Sequence, residues 1–247
     1  MKKNIISKIH RISVFSIWLC LPTICNAVNL INSGHPVNIF SYDKNKIHNV
    51  LILGNSITQH GPKPSIGWQG NWGMAASAQN KDFVHLLETR FHGYSSDIKV
   101  NYGSIANTFE RKFWQMDTSD FSKYKSSKPD LIILKIGENI KDSLAQNRSL
   151  NIYLEKLVGY LKTTPNAYVC LVGSFWPNKN IDTIMQKVCQ KNNWLYVSLR
   201  GLYDNPVVNT AMNNFADKGV GMHPSDTGMK NIADRIWDKV GYLFNGL

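Results

Sequence analysis

Five short apolar runs alternate with amphipathic helical stripes along this 247-residue chain, and that alternation restricts the fold more than any other feature. The runs are Val50 to Leu53, Ile98 to Val100, Leu131 to Ile136, Tyr168 to Val172 and Leu195 to Val197. Continuous apolar character, with no polar alternation, marks strands covered on both faces. Between the runs, Phe83, Val84, Leu87 and Phe91 share one helical face, and so do Leu150, Tyr153, Leu154, Leu157, Val158 and Leu161. Ile181, Ile184, Met185, Val188 and Cys189 form a third stripe, and Met229, Ile232, Ala233, Ile236, Trp237 and Val240 a fourth. Strands that alternate with helices require right-handed crossovers, so the predicted fold is α/β, a three-layer sandwich around a five-stranded parallel sheet. Such sheets bind ligands at the carboxyl ends of their strands, so functional residues should directly follow the runs.

Residues 1–27 read as a signal peptide, with Lys2, Lys3, Lys8 and Arg11 ahead of an apolar stretch from Ile12 to Ile24. That stretch is shorter than the roughly 20 residues a membrane span needs. The sequence therefore predicts cleavage before Val28, an exported chain (periplasmic or secreted) with no stable membrane span, and one domain over residues 28–247. Thr23 and Ile24 ahead of Cys25 are a poor match to a lipidation site. The formal charge is +11, and the four basic residues of 1–27, with no acidic one beside them, account for part of it, leaving +7. The remaining cations are scattered as singles and pairs such as Arg111-Lys112, without the basic and aromatic stripe that tracks phosphates, which argues against a nucleic-acid partner. Cys170 in a core strand and Cys189 on an apolar helix face are expected to be unpaired, and nothing near them has metal-site spacing, so neither metal nor cofactor is expected.

The polar residues at the run ends carry the chemistry. Gly54-Asn55-Ser56-Ile57-Thr58 places a serine on a turn leaving the first strand, where a nucleophilic hydroxyl and its own N–H can both face a substrate. Taken singly, the same segment also suits a serine that caps a helix. Gly137-Glu138-Asn139 puts a side-chain amide at the end of the third run, and Asn101-Tyr102-Gly103-Ser104-Ile105-Ala106-Asn107 reads as a Gly-containing loop after the second. Near the C-terminus, Gly221-Met222-His223-Pro224 holds a histidine in a loop just before the last helix.

Together these segments resemble the SGNH hydrolase family, which carries a Ser, Gly, Asn and His in four blocks on a flavodoxin-like domain. Gly54-Asn55-Ser56 resembles its Gly-Asp-Ser block, Gly137-Glu138-Asn139 its Gly-x-Asn block, and His223-Pro224 its final block. The resemblance covers roughly residues 48 to 244. It implies a serine esterase with Ser56 as nucleophile, His223 as general base, and an oxyanion hole from the N–H groups of Ser56 and Ala106 and the amide of Asn139. Gly103 is the alternative donor in the second block. The family's usual aspartate, three residues before the histidine, is Val220 here, which leaves the orienting role to Asp217, Glu138 or a main-chain carbonyl, or to a bare Ser-His dyad.

Beyond the nucleophile, residues 60–74 form a loop rich in Gly, Pro and Trp that is expected to wall the site, with Trp68 and Trp72 as sugar-stacking candidates unless they pack inward. Trp176, after the fourth run, offers a second aromatic wall. Export and aromatics together favour an ester, chiefly an O-acetyl group, on a glycan or small molecule. An acyltransferase using the same pair and a glycan-binding module on a disabled hydrolase fold are the alternatives. Lys135, inside an apolar run, needs a carboxylate, and Glu138 is the nearest in sequence.

Overall fold

The structure is a computed structural model that describes residues 47–244, so the predicted signal peptide at residues 1–27 lies outside the described residues. Five parallel strands, β1 (Asn49–Gly54), β2 (Lys99–Ser104), β3 (Leu131–Lys135), β4 (Tyr168–Val172) and β5 (Leu195–Val197), lie in the order β2-β1-β3-β4-β5. This is the flavodoxin-like order, and its reversal point lies between β1 and β3. Gly54 pairs with both Ser104 and Lys135, so β2, β1 and β3 end level and open onto one edge.

Side-chain alternation along the central strands separates two apolar layers. Val50 and Ile52 point toward α1 (Phe83–His92) and α4 (Asp226–Val240). Leu51 and Leu53 point toward α2 (Leu150–Leu161) and α3 (Lys179–Asn192). Each fully buried aliphatic side chain in these layers contributes about 1.5–3 kcal/mol. The helices start where side chains satisfy their free N–H groups: Asp82 accepts from His85 N on α1, Asn178 from Ile181 N on α3, and Ser225 from Gly228 N on α4.

β2 corrects the sequence reading. Residues 101–104, expected as a loop, continue the strand. As the edge strand, β2 exposes Lys99, Asn101 and Ser104 and half-buries Val100 and Tyr102, so it never shows the continuous apolar run of a doubly covered strand. Gly103 is therefore a strand residue packed against Tyr124, not a loop donor. Cys170 and Cys189 are both free and buried, as the sequence predicts. Burial raises both thiols, Cys189 to about 12. Among the described residues no helix is long and apolar enough to cross a membrane.

Candidate active site

Ser56 stands half-buried at the sheet edge because the chain folds sharply as β1 ends. A Cβ on Gly54 would meet Thr58 Oγ1 at 2.0 Å and the Lys135 carbonyl at 2.4 Å, so no other residue fits there. Asn55 then closes the turn: its carbonyl accepts from Thr58 N (3.0 Å) and Gln59 N (2.9 Å), and its Oδ1 from Ile57 N (3.0 Å). Met74 N donates to the Ser56 carbonyl at 2.8 Å, tying the following loop back over the serine.

His223 reaches the same edge from a loop between the helical turn Lys218–Gly221 and α4. The loop is pinned where Ala211 N donates to the His223 carbonyl at 3.0 Å. Ser56 Oγ and His223 Nε2 are 2.8 Å apart. On the other side of the ring, Nδ1 lies 2.7 Å from the Gly219 carbonyl. A carbonyl only accepts, so Nδ1 carries the hydrogen and Nε2 offers its lone pair to the serine. Burial, with a smaller push from His60, holds His223 below the usual histidine range, although the Gly219 bond opposes it. At neutral pH the ring is thus the free base.

Of the groups the sequence left open for the orienting role, a main-chain carbonyl, Gly219 O, holds the ring, and the two carboxylates have other partners. Asp217 caps the turn through Val220 N at 2.9 Å, and Val220 itself is buried against the 66–75 loop. Glu138 pairs with the buried Lys135, as the sequence reading expected, and also accepts from Asn55 Nδ2 (2.6 Å) and Phe175 N (2.7 Å).

Beneath the site lies a buried polar knot whose centre, Glu110, sequence reasoning missed. Glu110 is 1% exposed and accepts from Gly137 N (2.6 Å), Asn55 Nδ2 (3.2 Å) and Asn139 Nδ2 (2.7 Å). Asn55 thus donates to two carboxylates; an aspartate in its place would add a third acid and remove that donor. Burial and the neighbouring Glu138 charge raise Glu110. Burial also pushes Glu138 up, but the Lys135 charge and three hydrogen bonds outweigh it, and Glu138 sits below the usual range. Gly137 adopts φ 131° with Ser174 Oγ only 2.6 Å from where a Cβ would stand, so the turn that delivers Asn139 also requires glycine. The only sequence signal for Glu110 was an acid following Phe109 near the strand end.

Ser56, His223, Asn139 and Trp176 line one cleft of about 350 Å3, together with His60, Ile66, Met74, Asp217 and Arg111. Trp176 donates to the Met222 carbonyl at 3.2 Å and meets the His223 ring edge to face at 5.1 Å. The other two tryptophans correct the sequence reading. Trp68 is 3% exposed, donates to the His60 carbonyl at 2.9 Å and packs on Met74, Ala75 and Val220. Trp72 donates to the Ala76 carbonyl at 3.0 Å and stands edge-on to Trp68 at 5.6 Å. Indoles bury their large apolar area once the N–H finds an acceptor. Ile66 and Met74 of this loop face the cleft in their place. Ala106, buried, heads a π-helical turn (Ala106–Glu110), where an N–H has no acceptor within the helix. Among the described residues no group of side chains is arranged to hold a metal ion.

Comparison with solved structures returns the same fold. A two-domain esterase active on acetylated mannans aligns with a TM-score of 0.55 at 18% identity, over 80% of this chain and 50% of its own, so this chain spans about half of that protein. A salicylyl-acyltransferase from a tetracycline biosynthetic pathway aligns at 0.54 and 14% identity, over 83% of this chain and 57% of its own. A family two carbohydrate esterase from Cellvibrio japonicus aligns at 0.50 and 16%, over 80% and 62%. Searches against protein-family models and curated proteins find no match. At these identities the likeness is one of fold: the chain has the three-layer α/β fold of SGNH hydrolases.

Proposed function

We propose that this chain is an exported serine esterase that removes acyl groups, chiefly O-acetyl, from carbohydrate. The observation that carries the reading is the 2.8 Å contact between Ser56 Oγ and His223 Nε2, in an open cleft at the reversal point of the sheet. Nε2 takes the hydroxyl proton as Oγ attacks the ester carbonyl, and the imidazolium returns it to the departing alcohol. Water then repeats the sequence on the acyl-serine, releasing the acid and regenerating Ser56. The N–H groups of Ser56 and Ala106 and the Asn139 amide receive the oxyanion, each donor contributing about 2.7–4 kcal/mol. The solved esterases of this fold that act on acetylated mannans or other carbohydrate, together with Trp176 at the cleft, support a sugar ester as substrate. Export rests on the leader pattern of residues 1–27.

The acyltransferase of the same fold supports a second reading, in which an alcohol replaces water as the final acceptor. Hydrolysis of an aryl acetate by wild type, Ser56→Ala and His223→Ala, with products analysed in the presence of an added sugar alcohol, tests both. The esterase reading expects free acetate and loss of turnover in both variants. Equal rates in all three proteins refute it, and acyl-sugar as the main product replaces hydrolysis with transfer.

A further inference from the structure

Asn139 is held at both ends of its amide. Glu110 Oε2 lies 2.7 Å from Nδ2, and an Arg111 guanidinium nitrogen donates to Oδ1 at 2.6 Å. A guanidinium only donates, so the oxygen must face Arg111 and the nitrogen must face Glu110. Nδ2 then spends one hydrogen on the carboxylate and keeps one. Both holders come from one short segment, the π-helical turn that begins at Ala106, two residues past the end of β2, and the residue that ends it. Such turns, which add a residue to the helical repeat, are frequent at functional sites. Here the turn buries Glu110 beneath the cleft and leaves Arg111 exposed at its mouth, where a second guanidinium nitrogen is anchored on Asn107 Oδ1 at 2.8 Å. The other Glu110 oxygen accepts from Gly137 N and Asn55 Nδ2, linking the strand end that carries Asn139 to the one that carries Ser56.

From this geometry we infer that Glu110 and Arg111 are positioning residues that fix the Asn139 amide with its remaining N–H toward the oxyanion. The inference rests on the esterase reading above. Glu110 and Arg111 are neighbours in sequence, one buried and the other exposed, and their side chains converge on the two ends of this amide.

A double-mutant cycle on aryl acetate hydrolysis tests it, with kcat and KM measured for wild type, Asn139→Ala, Glu110→Gln, Arg111→Gln and the two doubles containing Asn139→Ala. Asn139→Ala should lower kcat about 10²-fold. Each clamp variant should lower kcat about tenfold with KM little changed, and Arg111→Lys, which keeps a donor, should recover part of that loss. Neither double should be slower than Asn139→Ala alone, because the clamp then has nothing to hold. Losses that multiply in the doubles, or wild-type kcat in Arg111→Gln, overturn the inference. Should Glu110→Gln fail to fold, the exposed Arg111 completes the cycle by itself. Unaltered kcat in Asn139→Ala defeats the clamp while leaving the esterase standing, whereas wild type no faster than Ser56→Ala defeats the esterase reading itself.

Discussion

Two half-buried histidines in this protein are oriented by opposite means. His223 rests its Nδ1 on a carbonyl, Gly219 O at 2.7 Å, and turns Nε2 to Ser56. His85, on α1, rests its Nδ1 on the carboxylate of Asp82 at 2.8 Å and turns Nε2 to the Gln79 amide and the Tyr102 hydroxyl. Burial pushes both rings toward the neutral form. At His85 the Asp82 hydrogen bond and charge outweigh burial and raise the ring above the usual range, while His223 stays below it. The carboxylate–imidazole pair thus stands away from the serine, and the histidine beside the serine has a carbonyl in place of a carboxylate. Orienting a ring and stabilising its charge are separable tasks, and the Gly219 carbonyl can do only the first.

The largest test of that contrast is catalytic. His223→Gln should cut aryl-ester turnover by roughly 10⁴-fold or more, and His85→Gln should leave kcat near wild type; similar losses in both would erase the distinction. Next in size is Val220→Asp, which brings a carboxylate to the position SGNH hydrolases usually fill with one. Val220 is 1% exposed among Trp68, Met74 and Ala75, so burying the charge should cost about 3 kcal/mol in a denaturant titration. The midpoint of the pH–rate curve should rise at the same time, making His223 resemble His85. In wild type, kcat/KM should climb with pH through an inflection below the ordinary histidine value of about 6.5 and then stay flat. An inflection above about pH 7 would mean that the ring is held charged.

The smallest effect concerns stability. The folded chain holds the His85 proton more tightly than the unfolded chain does, so the Asp82 pair contributes fully below the unfolded value of about 6.5 and fades as pH rises through the higher folded value. The gap in Tm between wild type and His85→Gln should therefore be wider at about pH 5.5 than at about pH 9. A constant gap would reduce His85 to packing.

Where burial is complete, the sequence announced the structure. β1, β3 and β4 are covered on both faces and show as continuous apolar runs, and the stripes on α1 to α4 match their buried faces. The apolar run at Ile98 to Val100 marks only the start of β2, because an edge strand mixes exposed and buried residues. Ser56, Asn139 and His223 were legible because turn glycines and strand ends mark them. Glu110 was not, since its partners lie 27 to 55 residues away and no local pattern connects them. Nor does any sequence pattern reveal that a carbonyl satisfies His223, because every residue supplies one. Trp68, Trp72 and Trp176 all donate to main-chain carbonyls, and which of them lines the cleft is a property of the folded loops.

The sealed thiols of β4 and α3 give the molecule a built-in clock. A thiol whose ionisation is suppressed by burial reacts with an alkylating reagent only when its surroundings open, so labelling of the Cys170 and Cys189 peptides times the opening of the sheet itself. A variant that is inactive yet labels at the wild-type rate has lost its chemistry, and one that labels faster has lost its architecture.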